Sequence, residues 1–554
     1  VAEQFGPLAD FITPLQKALT TRQATARVWQ RDHTLWREDP TEITDRLGWL
    51  SVMAPMAQGA KELMAWGHTI GHNYTDVVIM GMGGSSLFPE VLSQVFPPTR
   101  LRAGAGPRLT LLDTTDPQAI ARVAHTLPLP TTFFIAASKS GTTIETTSQL
   151  AYFWEIVGKG EQFTAITDHE TALATLGRQR SFNRVFENPS DIGGRFSALS
   201  YFGLVPAAIL GIDISTILDG AVAMSRTTHI DDPAENTALR LGTFIAAGAQ
   251  SGRDKLTIVL PDALAPLAVW IEQLVAESTG KHGTGLIPVI DEIPAAPQDY
   301  GNDRIFVLVG NNEETSSRLT AEGHPVLLLP SDCPSTQEDT PSSTQGSPTP
   351  LTQTGRALGA EVFRWEFATA IAGAAMQLNP FDQPDVAASK KTTLEVLHHG
   401  LPEVAHTPLS ELLATVNPGD YLALHAYVDP NSDLVPKLHT VRAHLREQLG
   451  IPVTLGLGPR FLHSSGQLHK GGPATGVFVQ VITDDTVEAM IPHQEYGFST
   501  LKRAQAAGDL LALHALGRRA GRVKLGELLE KIPGEASAAT AHTFSASQES
   551  TPKI

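Results

Sequence analysis

Asp76-Val-Val-Ile-Met-Gly-Met-Gly-Gly-Ser-Ser86 decides how this chain is read. A short apolar run ends in glycines and serines, and a helical pattern follows. The same grammar recurs at Leu109–Leu112 and Thr131–Ala137, each a β-like run ahead of a helical stretch. Alternating β and α elements imply a parallel sheet covered on both faces. The pattern restarts near Ala234, with Leu256–Leu260, Arg304–Val309 and Pro325–Leu329 as the next strands. The expected fold class is therefore α/β, with two doubly wound parallel-sheet domains rather than one very large sheet.

Outward from these, the organisation predicts a helical N-terminal segment over 1–65, where Leu8, Phe11, Ile12 and Leu15 recur at helical spacing. The first α/β domain covers 66–230 and the second 231–404. Ser331–Thr354 is almost all Ser, Thr, Pro, Gln and acid, so an insertion over 331–354 is expected to be a mobile surface loop. Residues 405–532 form a third block: Tyr421–Val428 strand-like, Asp433–Leu449 helical, Val453–His463 and Gly476–Thr483 strand-like, Thr500–Leu516 helical, and Val523–Leu525 a short strand. That order predicts a C-terminal α+β domain of the ferredoxin-like split βαβ kind. Residues 533–554 read as a polar tail.

The 554 residues are 42% hydrophobic and 18% charged, enough apolar material for several cores. Lys plus Arg number 41 against 58 Asp plus Glu, a net charge of −17, which argues against nucleic-acid or anionic-lipid partners. A single cysteine, Cys333, excludes an internal disulfide framework and a CxxC zinc or redox site. The longest unpunctuated apolar stretch, Tyr201–Ile212, is well short of the roughly 20 residues that span a bilayer. Glu3 and Asp10 stand where a signal peptide would be basic and then apolar. A soluble, cytoplasmic protein without a membrane partner is expected. The start at Val1 rather than Met reads as a chain trimmed or cut from a longer one. His68 and His72 have metal-ligand spacing on a helix, but Gly71 weakens that helix and no third ligand is evident, so no metal is expected.

Two strand-to-helix junctions carry the first chemical signal: Gly81-Met-Gly-Gly-Ser-Ser86 and Ser138-Lys-Ser-Gly-Thr-Thr143. Ligands of open α/β sheets bind beyond the carboxyl ends of the strands. A helix N-terminus there suits a phosphate, and the hydroxyls of Ser138, Ser140, Thr142 and Thr143 add donors. Gly, Ser and Thr also favour ordinary turns and N-caps. Two such loops at equivalent sheet positions nevertheless point to an anion site. Neither is a dinucleotide fingerprint or a Walker loop, because Ser86 replaces the last Gly and no Gly-Lys-Ser/Thr follows.

Three more segments follow. In Asp191-Ile-Gly-Gly-Arg-Phe-Ser197, Arg195 behind two glycines is free to enter a pocket, although a surface turn would read alike. In Trp270-Ile-Glu-Gln-Leu-Val-Ala-Glu-Ser-Thr-Gly-Lys281, Gln273 and Glu277 stand at i and i+4 on one helix face. Glu277 at the helix's negative end is a carboxylate whose charged form is disfavoured, which suits a general base; a solvated surface acid is the plainer alternative. In Asn379-Pro-Phe-Asp-Gln-Pro-Asp-Val-Ala-Ala-Ser-Lys-Lys391, Pro384 suits a first helical position, with Gln383 before it and Lys390 about two turns in.

These five segments, in this order, resemble the glucose-6-phosphate isomerase (phosphoglucose isomerase) family over roughly residues 60–400. The resemblance implies two sugar-isomerase (SIS) domains, no metal, no redox cofactor, a homodimer, and interconversion of glucose 6-phosphate and fructose 6-phosphate. By motif, it makes Ser138, Lys139, Ser140, Thr142 and Thr143 the phosphate clamp, with Gly84 and Ser85 beside it. It makes Glu277 the catalytic base, Gln273 a substrate contact, Arg195 the stabiliser of the enediolate, and Gln383 and Lys390 the pair on the C-terminal active-site helix. Moving a proton between adjacent carbons needs one carboxylate, and a fixed cation for the developing oxyanion, which Arg supplies.

The chain departs from that pattern at one place. The family has a ring-opening histidine between base and lysine, yet no histidine lies between His324 and His398; the nearest aligned position is Glu361. The loop Gly458-Pro-Arg-Phe-Leu-His-Ser-Ser-Gly-Gln-Leu-His-Lys-Gly-Gly-Pro473 offers His469, or His463, as a replacement, from the same or a neighbouring subunit; a structural loop is the alternative. With Asp32-His-Thr-Leu-Trp36 and Arg46-Leu-Gly-Trp49, this loop looks more specifically like the isomerase half of bacterial bifunctional transaldolase–phosphoglucose isomerases, so the natural chain is expected to be fused to, or cut from, a transaldolase-containing one. No transaldolase barrel or Schiff-base lysine segment is present, and transaldolase activity is not assigned. The rival readings are a broader isomerase that also accepts mannose 6-phosphate, a non-catalytic sugar-phosphate sensor, and a purely dimerising third domain. A sensor has no reason to keep Glu277, Gln273 and Lys390 in register.

Overall fold

The computed structural model describes residues 5–97, 106–334 and 349–532, with Ala387 and Ala388 described by their backbone alone. Most of the 331–354 insertion and the whole 533–554 tail lie outside these residues. The end of the expected insertion is helical: the helix Pro350–Met376 starts behind Thr349, whose Oγ1 accepts from Thr352 N at 3.3 Å.

The first sheet holds β1 (Asp76–Gly81), β2 (Arg108–Leu112), β3 (Thr132–Ala137), β4 (Phe163–Asp168) and β5 (Arg184–Asn188), in the order β2-β1-β3-β4-β5. All its pairs are parallel, with Asp76 opposite both Arg108 and Thr132. Every residue of β1 and β3 is buried. The two-residue period of a strand divides them. Val77, Ile79, Phe133 and Ile135 enter one core, while Val78, Met80 and Phe134 enter another on the opposite face. Two-sided burial explains why these strands read as continuous apolar runs.

The second sheet holds β6 (Lys255–Val259), β7 (Ile287–Val289), β8 (Arg304–Val309) and β9 (Val326–Leu329), ordered β7-β6-β8-β9 and again parallel throughout. The helix Pro350–Met376 is apolar on most sides and packs on Ile214–Thr227 and Thr237–Gln250, burying Trp365 and Phe367 completely. Burying a side chain of that size is worth about 1.5–3 kcal/mol. The N-terminal residues are helical at Ala9–Thr21 and Ala24–Trp29, and they lie against this bundle, where Trp36 Nε1 donates to Ala370 O at 2.8 Å. The 65/66 boundary falls inside the helix Met53–Asn73, which packs on Tyr201–Ile209.

The C-terminal α+β ferredoxin-like expectation is overturned. β10 (Tyr421–Tyr427), β11 (Val453–Leu457), β12 (Gly476–Ile482) and β13 (Arg519–Arg522) form a third wholly parallel sheet, ordered β11-β10-β12-β13. A split βαβ fold needs antiparallel neighbours. The expected strand Val453–His463 stops at Leu457, and the stretch 458–475 follows it. It contains a 3₁₀ turn, Arg460–His463, and a six-residue helix, Gly466–Gly471, and so makes a crossover. Glycines, histidines and a lysine hid that short helix. The last strand is Arg519–Arg522, and Val523–Leu525 leads instead into the helix Leu525–Leu529.

The third sheet's layer is locked onto the first sheet through the loop after β2. Lys502 Nζ, fully buried, lies 2.9 Å from Asp116 Oδ2 and also pairs with Asp485. Thr115 Oγ1 donates to Gln505 Oε1 at 2.6 Å, and Arg460 bridges Asp113 (3.1 Å) and Glu90. Phe498 and Leu501, on the helix Phe498–Ala515, join the core that holds Val78 and Phe134. The third layer therefore stands over the carboxyl end of the first sheet. Among the described residues no helix is long and apolar enough to cross a membrane.

Candidate active site

The chain leaves β1 for β2 on one side and returns to β3 on the other, so a crevice opens beyond the carboxyl ends of β1 and β3. The loops Met82–Ser86 and Ser138–Thr143 border it. Gly83 has φ +54°, and a Cβ at Gly84 would lie 2.0 Å from Gly194 O. Only glycine lets this loop press against the turn that carries Arg195. Ser85 is half-buried in the 3₁₀ turn Gly83–Ser85.

The second loop turns at Gly141 (φ +68°) into the helix Ile144–Val157. Ser138 Oγ and Thr143 Oγ1 are 2.9 Å apart, and Thr142 Oγ1 donates to Ser140 Oγ at 3.0 Å. Lys139 turns away from this cluster. Its ammonium pairs with Asp168 and donates to Ser190 O at 2.8 Å.

Arg195 is buried and uses its donors on four fixed acceptors. Nε donates to Ser278 Oγ (2.7 Å), Nη1 to Gln383 Oε1 (2.9 Å), and Nη2 to Pro380 O (2.6 Å) and Asp382 O (3.0 Å). Burial lowers the pKa of the guanidinium, and the charges of Glu277 and Asp382 oppose that fall. Nη1 stands 3.6 Å from Glu277 Oε1. Glu277 rides on the helix Ala268–Thr279 with Gln273 one turn earlier; Gln273 Nε2 donates to Glu277 Oε2 at 3.1 Å and to His463 O at 2.8 Å. Gln273 Oε1 is buried without a hydrogen-bond partner.

Gln383 precedes the helix Pro384–His399, as the position of Pro384 predicts. Lys390 on that helix lines a cavity of about 190 Å³ together with Ser140, Thr142, Thr143, Glu145, His463 and Lys470. The structure thus brings Ser140, Thr142, Thr143 and Lys390 to one cavity, and Arg195, Gln273, Glu277 and Gln383 to one cluster. The backbone of His463 links the two.

His469 stands elsewhere. It is 4% exposed, its Nδ1 lies 3.0 Å from Tyr421 Oη, its ring packs by His425, and burial drives its pKa well down. It lines a different cavity, with Glu90, Glu272, Asp291 and Arg460. His463 is the histidine at the crevice: its Nε2 is 2.8 Å from Glu145 Oε1, which also accepts from Gln505 Nε2 at 2.7 Å. Glu361 is buried against Arg364 at 2.6 Å, and its cavity is shared with Arg226, Ser331 and Arg356 rather than with Glu277.

Sequence reading missed Glu145, Gln505, Lys470 and Lys281. Lys281 donates to Asn379 O (2.5 Å) and Asp382 Oδ1 (2.6 Å), fastening the turn after Glu277 to the turn that holds Arg195; burial, then Arg195, pushes its pKa down to about 7. Glu145 lay two residues beyond the noted loop, but its partner is 318 positions away, a separation no local pattern reveals.

Residues 43–303 match the sequence model of a family described as Phosphoglucose isomerase. A glucose-6-phosphate isomerase of Prochlorococcus marinus is 28% identical over 354 residues, 59% of this chain and 67% of that protein. One of Rubrobacter xylanophilus is 29% identical over 361 residues, 58% of this chain and 82% of that protein. The crystal structure of a glucose-6-phosphate isomerase from Chlamydia trachomatis aligns with a TM-score of 0.54 at 17% identity, over 70% of this chain and 86% of that one, a likeness of fold alone. The family match covers the loops of the first sheet, Arg195 and the Gln273–Glu277 helix. Over residues 43–303 this chain is similar to the phosphoglucose isomerase family of enzymes.

Proposed function

We propose that the chain interconverts glucose 6-phosphate and fructose 6-phosphate by metal-independent proton transfer through a cis-enediol. The observation that carries this reading is the Glu277–Arg195 pair, 3.6 Å apart, each member held by its own glutamine beside a hydroxyl-rich loop. The loop Ser138–Thr143, with Gly84 and Ser85 beside it, takes the phosphate at a helix N-terminus. Glu277 removes the proton from C2 of the open-chain aldose and returns it to C1. Electron density moves onto the C1 oxygen, where Arg195 meets the developing charge; that oxygen takes up a proton to give the enediol, and the C2 hydroxyl gives up its own as the ketone forms. Gln273, with its unpartnered Oε1, and Gln383 hold the sugar hydroxyls.

The open chain must first form from the cyclic sugar. We assign that step to His463 rather than His469. As an acid, the imidazole gives a proton to the ring oxygen as its bond to the anomeric carbon breaks, and the anomeric hydroxyl gives its proton to water as the carbonyl forms; Glu145 orients the imidazole, and Lys390 lines the same cavity. No transaldolase step is assigned.

The test is conversion of fructose 6-phosphate with and without EDTA, with mannose 6-phosphate in parallel. Turnover that survives EDTA supports the reading. Binding of the sugar phosphate without turnover replaces it with the sensor reading, and equal use of mannose 6-phosphate broadens it.

A further inference from the structure

The isomerase reading leaves one charged group of the 190 Å³ cavity without a role. Lys470 is 3% exposed and comes from the third layer, on the short helix Gly466–Gly471. Its ammonium donates to Asp509 Oδ1 at 2.6 Å and to Gly466 O at 3.4 Å. An ammonium has three donors, so one is left over. The residue forms the cavity wall together with Ser140, Thr142 and Thr143.

A phosphate dianion is bound most strongly where a fixed cation assists the hydroxyl and backbone donors. The lysine of the phosphate loop itself is turned to Asp168 and Ser190. Arg195 is committed to Ser278, Pro380, Asp382 and Gln383. Lys390, which also lines the cavity, is an exposed side chain. Unlike Lys139 and Arg195, Lys470 lines the cavity, and unlike Lys390 it is held in place by a buried partner. Asp509, wholly buried, grips it on one side, and the other oxygen of Asp509 faces His425 Nδ1 at 3.6 Å. A buried ion pair needs no cavity to serve as a structural tie. This one lies in the lining of a cavity to which Ser140, Thr142 and Thr143 also contribute.

We infer that Lys470 is a substrate-binding residue that contacts the phosphate group, so that the third layer supplies the counter-charge which the phosphate loop lacks. The inference rests on the isomerase reading only for the sugar part of the ligand; the anion site stands without it.

Inorganic phosphate is the probe, titrated by calorimetry into the full chain, into Lys470→Met and into the double variant Lys470→Met/Asp509→Leu. The double variant removes both members of the buried pair, which is tolerated better than removing one. Loss of one charge-assisted hydrogen bond predicts phosphate binding weaker by about tenfold or more, and a KM for fructose 6-phosphate raised by a similar factor with kcat within about threefold of the parent. Phosphate bound by the folded double variant within about twofold of the parent overturns the assignment. So does a parent chain that binds no phosphate. A parent that binds phosphate but turns nothing over sinks the isomerase reading alone, and the comparison of variants still decides Lys470.

Discussion

His463 Nε2 and Glu145 Oε1 lie 2.8 Å apart across the junction between the third layer and the first sheet. Glu145 is buried in the first turn of the helix behind the loop Ser138–Thr143, and His463 closes the 3₁₀ turn before the helix Gly466–Gly471. One hydrogen bond thus joins that loop to a crossover of the appended sheet. Burial alone would raise the pKa of Glu145, but the His463 imidazole beside it holds the carboxyl below its ordinary value.

If this pair opens the sugar ring, His463→Ala slows turnover of the cyclic substrate by about 10²-fold or more, the usual range for a lost general acid. An aldotetrose 4-phosphate cannot close a ring, because its terminal hydroxyl is phosphorylated. Deuterium uptake from solvent at its C2 is expected to be unchanged. Equal losses with both substrates would remove His463 from the ring-opening step. Glu145→Gln should give a smaller loss in the same direction.

Glu277→Gln is expected to lower kcat by about 10²–10⁴-fold while thermal unfolding stays near that of the parent. The glutamine still reaches Gln273 and loses only a long contact to Arg195. Activity within tenfold of the parent would mean that another group takes the proton.

Arg195→Lys keeps the charge but cannot reach Ser278, Gln383, Pro380 and Asp382 at once. Unfolding in urea should show a loss of about 2–4 kcal/mol, at roughly 1 kcal/mol for each hydrogen bond lost. Activity should fall with it, and a variant of parental stability would show that these bonds contribute little.

Lys502→Met leaves Asp116 buried without its cation and Asp485 with only a long contact to Arg503 Nε at 3.9 Å. Breaking such a pair costs about 3–5 kcal/mol. Both carboxyls then favour their neutral forms, so the loss should be smaller at acid than at alkaline pH. Denaturation at several pH values decides this, and a pH-independent loss would contradict it.

Glu272 gives a second pH effect. Burial, then Asp291, raises its pKa from 4.5 to about 7, against the pull of Arg460 and Arg442. Between these values the native chain binds more protons than the unfolded one, so stability falls as pH rises through that window. Glu272→Gln should remove the slope and gain about 1–3 kcal/mol relative to the parent at alkaline pH. A difference independent of pH would refute this.

The parallel sheets of the first two units could be read from the residue pattern alone. Runs such as Thr131–Ala137 are apolar because both faces are covered, and that requirement is written residue by residue. The residue pattern also placed Glu277 one turn after Gln273 and put hydroxyls at a strand's carboxyl end, since both depend on local geometry alone. The third sheet's topology was not legible, because a six-residue helix of Gly, His and Lys has no apolar period to announce it. The choice between His463 and His469 belonged to the tertiary structure alone. The two lie six residues apart in one loop, and only the packing of that loop sends one ring to Glu145 and the other to Tyr421 and His425. Partners more than 300 positions apart meet because separate layers close on each other, and no spacing along the chain encodes that meeting.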